Sequence, residues 1–200
     1  NVLGYSLPRD QVKAKTDIGF ASEDMRLYKN KDLNWHMRFI RAIFPKWDAE
    51  YASLLLKKFG LQADQPTKGF SHGQRVKAGL LLLLARRPDL LIMDEPTTGL
   101  DPVARCDVME ELGEILRDEH RSVLFSSHNT HDVEQLSDTL TFMHEGRILA
   151  SEGIDDFLDG WRYVQCRGDN DVSSIDLPNI ASSRRSGRML NIKLDKFDDS

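Results

Sequence analysis

The chain has 200 residues, 40% of them hydrophobic and 30% charged, with 13 Gly and 7 Pro. That composition supports a buried core and excludes collagen-like, low-complexity and disordered classes, while the length excludes a tandem of large domains. Lys and Arg number 27 against 32 Asp and Glu, a formal charge of −5; so mild an acidic balance argues against a general phosphate-backbone clamp, and nucleic acid is not an expected partner.

No apolar stretch approaches the ~20 residues needed to cross a bilayer. The chain opens at Asn1 without a leader pattern, which reads as a trimmed or partial N-terminus. Cys106 and Cys166 stand in unrelated contexts and indicate neither a disulfide framework nor a zinc module, in keeping with a reducing, cytoplasmic setting.

In chain order, Ile18, Gly19 and Phe20 read as a strand end leading into the acidic turn Ser22, Glu23, Asp24. Leu33, His36, Met37, Ile40 and Ile43 share a helical face, Pro45 breaks it, and residues 47–59 restart it until Gly60. A further helix is expected from near Gln74 to Pro88, with Leu80 to Leu84 as core. Leu90 to Met93 reads as a strand buried in a parallel sheet. Asp101 as N-cap and Pro102 at the first helical position open a long helix carrying Val108, Met109, Leu112, Ile115 and Leu116. Val123 to Phe125 supplies a second buried strand, completing a βαβ unit whose functional groups belong at the carboxyl ends of its strands. A hairpin is expected around His144 to Gly146, then a short helix over 154–161. From about residue 161 the chain reads as a small β appendage of two strands, 163–167 and 189–195, separated by a polar stretch in which Arg184, Arg185 and Arg188 form a solvated loop.

Asp94 and Glu95 close one apolar strand and His128 follows the other. One acid can hold a divalent cation, the next can orient a water, and the histidine points at the same crevice. His131 without further ligands reads as a helix start rather than a metal partner of His128.

Phe70-Ser71-His72-Gly73-Gln74, Leu90 to Glu95, Pro96-Thr97-Thr98-Gly99-Leu100-Asp101 and Ser127-His128 resemble, in order and spacing, the ATP-binding cassette (ABC) transporter ATPases. The resemblance covers residues 1–158. It implies an α/β P-loop NTPase core with an inserted α-helical subdomain, over residues 27–86 of an N-terminally incomplete domain 1–160, followed by a C-terminal extension over 161–200. It implies ATP and Mg2+ as nucleotide and cofactor. Asp94 would hold magnesium and Glu95 would act as general base. His128 would be the switch histidine and Asp101 the D-loop aspartate. Ser71, His72, Gly73 and Gln74 would grip the γ-phosphate of ATP bound to a second subunit, an anion at a helix N-terminus. Glu23 stands at the Q-loop position and could share the magnesium.

The chain departs from the family pattern in three places. Phe70 and His72 replace a Leu and a Gly of the signature, putting side-chain bulk where backbone approaches nucleotide. Glu23 replaces a glutamine. No Gly-Lys dipeptide occurs, so the phosphate-binding loop is missing, either because the sequence is the C-terminal part of a larger cassette or because the subunit is degenerate; intact Glu95, Asp101 and His128 favour the first. The 48 positions from Glu23 to Ser71 exclude coiled-coil arms, and two cysteines exclude zinc modules. The expectation is an ATPase subunit that dimerises as a homo- or heterodimer. It would couple hydrolysis to transport, as an exporter, through a separate permease on the inner face of the cell membrane. Other readings are a soluble assembly scaffold and a non-hydrolysing regulatory subunit.

Overall fold

The computed structural model describes residues 1–22, 26–167, 180–186 and 189–195. Glu23, assigned above to magnesium, lies outside the described residues, as does Arg188. The chain divides into two compact units, Asn1–Asp132 and Val133–Ser200.

The first unit is built on a three-stranded parallel sheet in the order β1–β2–β3: β1 (Ile18–Ser22), β2 (Leu90–Asp94) and β3 (Ser122–Ser126). The register is continuous, with Ser22, Asp94 and Ser126 side by side at the carboxyl edge. Helix α1 (Gln11–Asp17) precedes β1, and the insert between β1 and β2 carries α2 (Leu33–Ile43), α3 (Ala49–Lys58), a 3-10 turn (Thr67–Gly69) and α4 (His72–Leu84). Helix α5 (Pro102–Leu116) makes the crossover from β2 to β3.

Local chemistry explains the boundaries. Asp32 caps α2 by accepting from the Trp35 amide at 2.7 Å, Asp48 caps α3 through the Tyr51 amide at 2.8 Å, and Asp101 caps α5. Gly60, at φ 62°, takes the left-handed turn after α3. The five leucines of α4 are all buried, as their uninterrupted run suggested. Their helix lies close on β1, for a Cβ at Gly19 would come within 2.8 Å of Leu83 Cδ1 and Leu91 Cδ2.

The two faces of the sheet differ. Leu91 and Met93 are fully buried, whereas on the other face Phe20 is 58% and Leu124 63% exposed, with Ile92 between them half-buried. The expectation that 123–125 is buried throughout therefore needs correction. Strand β3 forms where expected, but Leu124 points to the uncovered face.

The second unit holds most of α6 (Thr130–Leu136), which begins in the first. It also contains the hairpin β4 (Thr139–His144) with β5 (Arg147–Gly153), α7 (Ile154–Asp159), and a three-stranded antiparallel sheet. That sheet is β6 (Trp161–Arg167), β7 (Ile180–Ser186) and β8 (Met189–Asp195), in the order β6–β8–β7. Here the sequence reading is again corrected: Arg184 and Arg185 lie in strand β7, not in a solvated loop. Leu190, Ile192 and Leu194 of the central strand are buried, and the polar β7 is held by backbone pairing to them at the sheet edge.

Two carboxylates fasten the insert, Asp17 to the start of β1 and Asp48 to the segment between α4 and β2. Hydrogen bonding from Lys46, then from Tyr5, holds Asp17 below the usual carboxylate range against the opposing pull of burial. The Tyr51 amide and the Arg87 guanidinium do the same for Asp48. Depressed folded-state values stabilise above the unfolded pKa of about 4 and lose that contribution as pH falls through the lower folded values. Denaturant midpoints should therefore drop steeply below about pH 4, and Asp48→Asn should flatten that acid limb while lowering the midpoint at pH 7.

Candidate functional site

The carboxyl edge of the parallel sheet collects the chemistry-bearing residues. Asp94, the last residue of β2, accepts the Ser126 hydroxyl at 2.6 Å. The Glu95 amide faces the Ser126 carbonyl and hydroxyl oxygens, each at 3.2 Å. This pairing continues the sheet by one step while Glu95 itself adopts φ 51°, a left-handed conformation rare for a side-chain-bearing residue and often found at functional sites. The twist turns the Glu95 carboxylate toward the chain leaving β3. There it accepts three hydrogen bonds: from the His128 amide at 3.0 Å, from His128 Nδ1 at 2.8 Å, and from the Thr98 hydroxyl at 2.8 Å.

Burial alone would raise the Glu95 pKa, but the His128 and Thr98 hydrogen bonds outweigh it and hold the carboxyl below its ordinary value. An ionised carboxylate only accepts, so Nδ1 of His128 carries a proton and Nε2 is turned outward on a side chain 75% exposed. The result is a carboxylate–histidine pair beside the Ser126-bonded Asp94, at the lip of a cavity of about 60 Å3 lined by Ser22, His72, Arg75, Asp94, Glu95 and Thr98 among others.

The Ser71 turn lies beside the same loop. Ser71 and Gln74 form a reciprocal capping box: the Ser71 hydroxyl accepts from the Gln74 amide at 3.2 Å, and the Gln74 side chain accepts from the Ser71 amide at 2.9 Å. The amides of His72 and Gly73 are left at the front of α4, the positive end of the helix. Gly73 packs against the start of α5, where a Cβ would lie 3.4 Å from Ala104 Cβ. Asp101 accepts from the amides of Val103 and Ala104 at 3.0 and 2.9 Å, and these bonds lower its pKa. The His72 ring folds back inside the chain, with Nε2 3.1 Å from the Thr98 carbonyl oxygen.

Thus Ser71, His72, Gly73, Gln74, Asp94, Glu95, Asp101 and His128 gather along one edge. Sequence reasoning missed what holds them. Asp132, 1% exposed, accepts the Thr97 hydroxyl at 2.6 Å and both Nε and Nη2 of Arg105 at 2.9 and 2.6 Å. It thereby ties the front of α6 to the loop after Glu95 and to α5. Its position after His131 offered only the signal of a first-turn helix acid.

A family model described as "AAA domain, putative AbiEii toxin, Type IV TA system" matches residues 2–131. The chain belongs to this family. Among curated relatives it is similar to the ABC transporter ATP-binding protein YtrB of Bacillus subtilis, 26% identical across 94% of this chain and 64% of that protein. It is also similar to the lantibiotic transport ATP-binding protein SrtF of Streptococcus pyogenes, 33% identical across 69% of this chain and 60% of that one. A solved structure of the ATP binding subunit of an ABC transporter matches with a TM-score of 0.70 and 27% identity, over 78% of this chain and 67% of that one. The fold is that of the nucleotide-binding domain of ABC ATPases, a P-loop NTPase fold, and the chain spans about 60% of the length of these two curated relatives.

The buried Asp132 pairing carries a stability consequence. Asp132→Ala would leave the Arg105 guanidinium and Thr97 hydroxyl without their partner, and removing one member of a buried pair costs about 3 kcal/mol or more. Chemical denaturation should show a loss of that order, with Glu114→Ala, which removes the exposed Arg117 pair, within about 0.5 kcal/mol of the parent.

Proposed function

We propose that the protein carrying this chain is the ATP-binding and ATP-hydrolysing subunit of an ABC transporter, working on the inner face of the membrane through a separate permease. The observation that carries the reading is the ionised Glu95, hydrogen-bonded to His128 and set beside Asp94 at the end of the parallel sheet.

In this reading Glu95 orients and deprotonates the attacking water. A carboxyl held below its ordinary value is ionised at neutral pH, and the Thr98 and His128 hydrogen bonds fix its direction. His128 would meet the γ-phosphate oxygens as the imidazolium, donating from Nε2 while Nδ1 keeps its bond to Glu95. Asp94 suits a magnesium ion, which takes one or two carboxylates and completes its shell with water and phosphate oxygens; when bound, that ion would neutralise phosphate charge. The front of α4, with Ser71, Gly73 and Gln74, meets ATP held by a second subunit, and Asp101 lies at that junction. Two ATPase subunits would close on two nucleotides and reopen after hydrolysis, moving the permease through the helical segment 27–86.

The phosphate-binding loop would come from a further segment of the whole protein. Parallel sheets are ordinarily covered on both faces, and the open face formed by Phe20, Ile92 and Leu124 runs directly up to Asp94 and Ser126. A covering element there would bring its loop to Asp94, which supports an incomplete cassette over a degenerate subunit. The 200 residues alone would then not turn over ATP. The similarity to a lantibiotic transport protein supports a role in transport, and export is the direction we propose for it.

In the full-length protein, Glu95→Gln should lower ATP turnover by at least about 100-fold while ATP-dependent dimerisation, read by size-exclusion chromatography with and without nucleotide, persists. Hydrolysis at the parental rate would refute the assignment.

A further inference from the structure

We propose that His72 is a positioning residue for Glu95: it ties the front of α4 to the loop that orients the Glu95 carboxylate, rather than touching nucleotide. The proposal rests on the ATPase reading above and deepens it.

The chain of contacts is short. His72 occupies the first residue of α4, immediately after the Ser71 cap. Its Nε2 lies 3.1 Å from the Thr98 carbonyl oxygen. A carbonyl only accepts, so Nε2 carries the proton and donates. The hydroxyl of the same Thr98 donates to Glu95 Oε2 at 2.8 Å. One residue thus receives the helix through its backbone and passes the constraint to the base through its side chain.

The next position shows that the ring has a fitted seat. Gly99 has φ 71°, and a Cβ built there would lie 3.1 Å from His72 Nε2 and 3.4 Å from its Cδ2. The imidazole therefore lies against the space that a side chain at 99 would fill. Thr97, on the other side, is anchored by buried Asp132, so the loop from Glu95 to Gly99 is held from two sides: α6 through Asp132, and α4 through His72. The bulk that His72 brings to this turn is directed inward at the loop. A shift of α4 would reach Glu95 through one hydrogen bond and one side chain.

The test uses steady-state ATP hydrolysis by the full-length protein. His72→Ala should lower kcat by about tenfold, because a loosened base loses its aim, while KM for ATP changes less than about twofold. His72→Gln, whose amide Nε2 can still donate to the Thr98 carbonyl, should recover most of that loss, an effect that simple loss of packing would not predict. Gly99→Ala should also lower kcat, and by a smaller factor in the His72→Ala background, where the steric conflict is absent. An active parent with kcat unchanged in His72→Ala overturns the positioning role, as does a rise in KM at constant kcat, which would mark His72 as a nucleotide contact. A parent without ATPase activity overturns the underlying functional reading, and the positioning role with it.

Discussion

Everything at the site depends on the register between β2 and β3. Asp94 lies opposite Ser126, and the Ser126 hydroxyl and carbonyl engage Asp94 and the Glu95 amide together. A slip of one residue would reverse the facing of every side chain on the strand and would separate Glu95 from the chain that bears His128. The carboxylate–histidine pair is therefore a consequence of sheet pairing carried one residue past the end of the sheet. The positive φ of Glu95 is the local cost of that extension.

Around this register the fold places three supports from different parts of the chain. The front of α4 comes from the insert between β1 and β2, α5 from the crossover, and α6 from the segment after β3. They meet the loop 95–101 through His72, through the cap that Asp101 gives α5, and through Asp132 with Arg105. Each contact is modest alone, but together they leave Glu95 little freedom, the condition for a base that must point at one water. The insert is in turn fastened to the start of the sheet by Lys46 with Asp17, while Arg87 with Asp48 ties α3 to the segment that leads into β2.

Which parts could be read from the sequence follows from the range of the forces involved. Asp101-Pro102 announces its helix because a cap acts within three residues, and the apolar run before Asp94-Glu95 announces its strand for a similarly local reason. The line-up of Asp94, Glu95 and His128 was legible because a βαβ unit brings its strand ends together. Asp132 was not, since its partners Thr97 and Arg105 lie 35 and 27 positions away and an acid in a first helical turn looks solvated. Strand β7 was hidden because an edge strand rich in serine and arginine is held by backbone pairing, which leaves no apolar alternation to read. The exposure of Leu124 was hidden as well, for the sequence of a strand does not say what lies over it. The direction of the His72 ring depends on an empty space at Gly99, 27 positions on.

That empty space also constrains how this turn can change over evolutionary time. Position 99 is bound by two separate demands: a backbone in the left-handed region and an imidazole against the space its side chain would fill. If position 72 became small, only the backbone demand would survive, and asparagine, which tolerates that region better than most side chains, would become admissible at 99. With histidine kept at 72, a side chain at 99 would need the ring to give by a few tenths of an ångström, so loss of that histidine makes a departure from glycine easier. The two positions are thus expected to change together, coupled by a few tenths of an ångström between a ring and a missing methyl group.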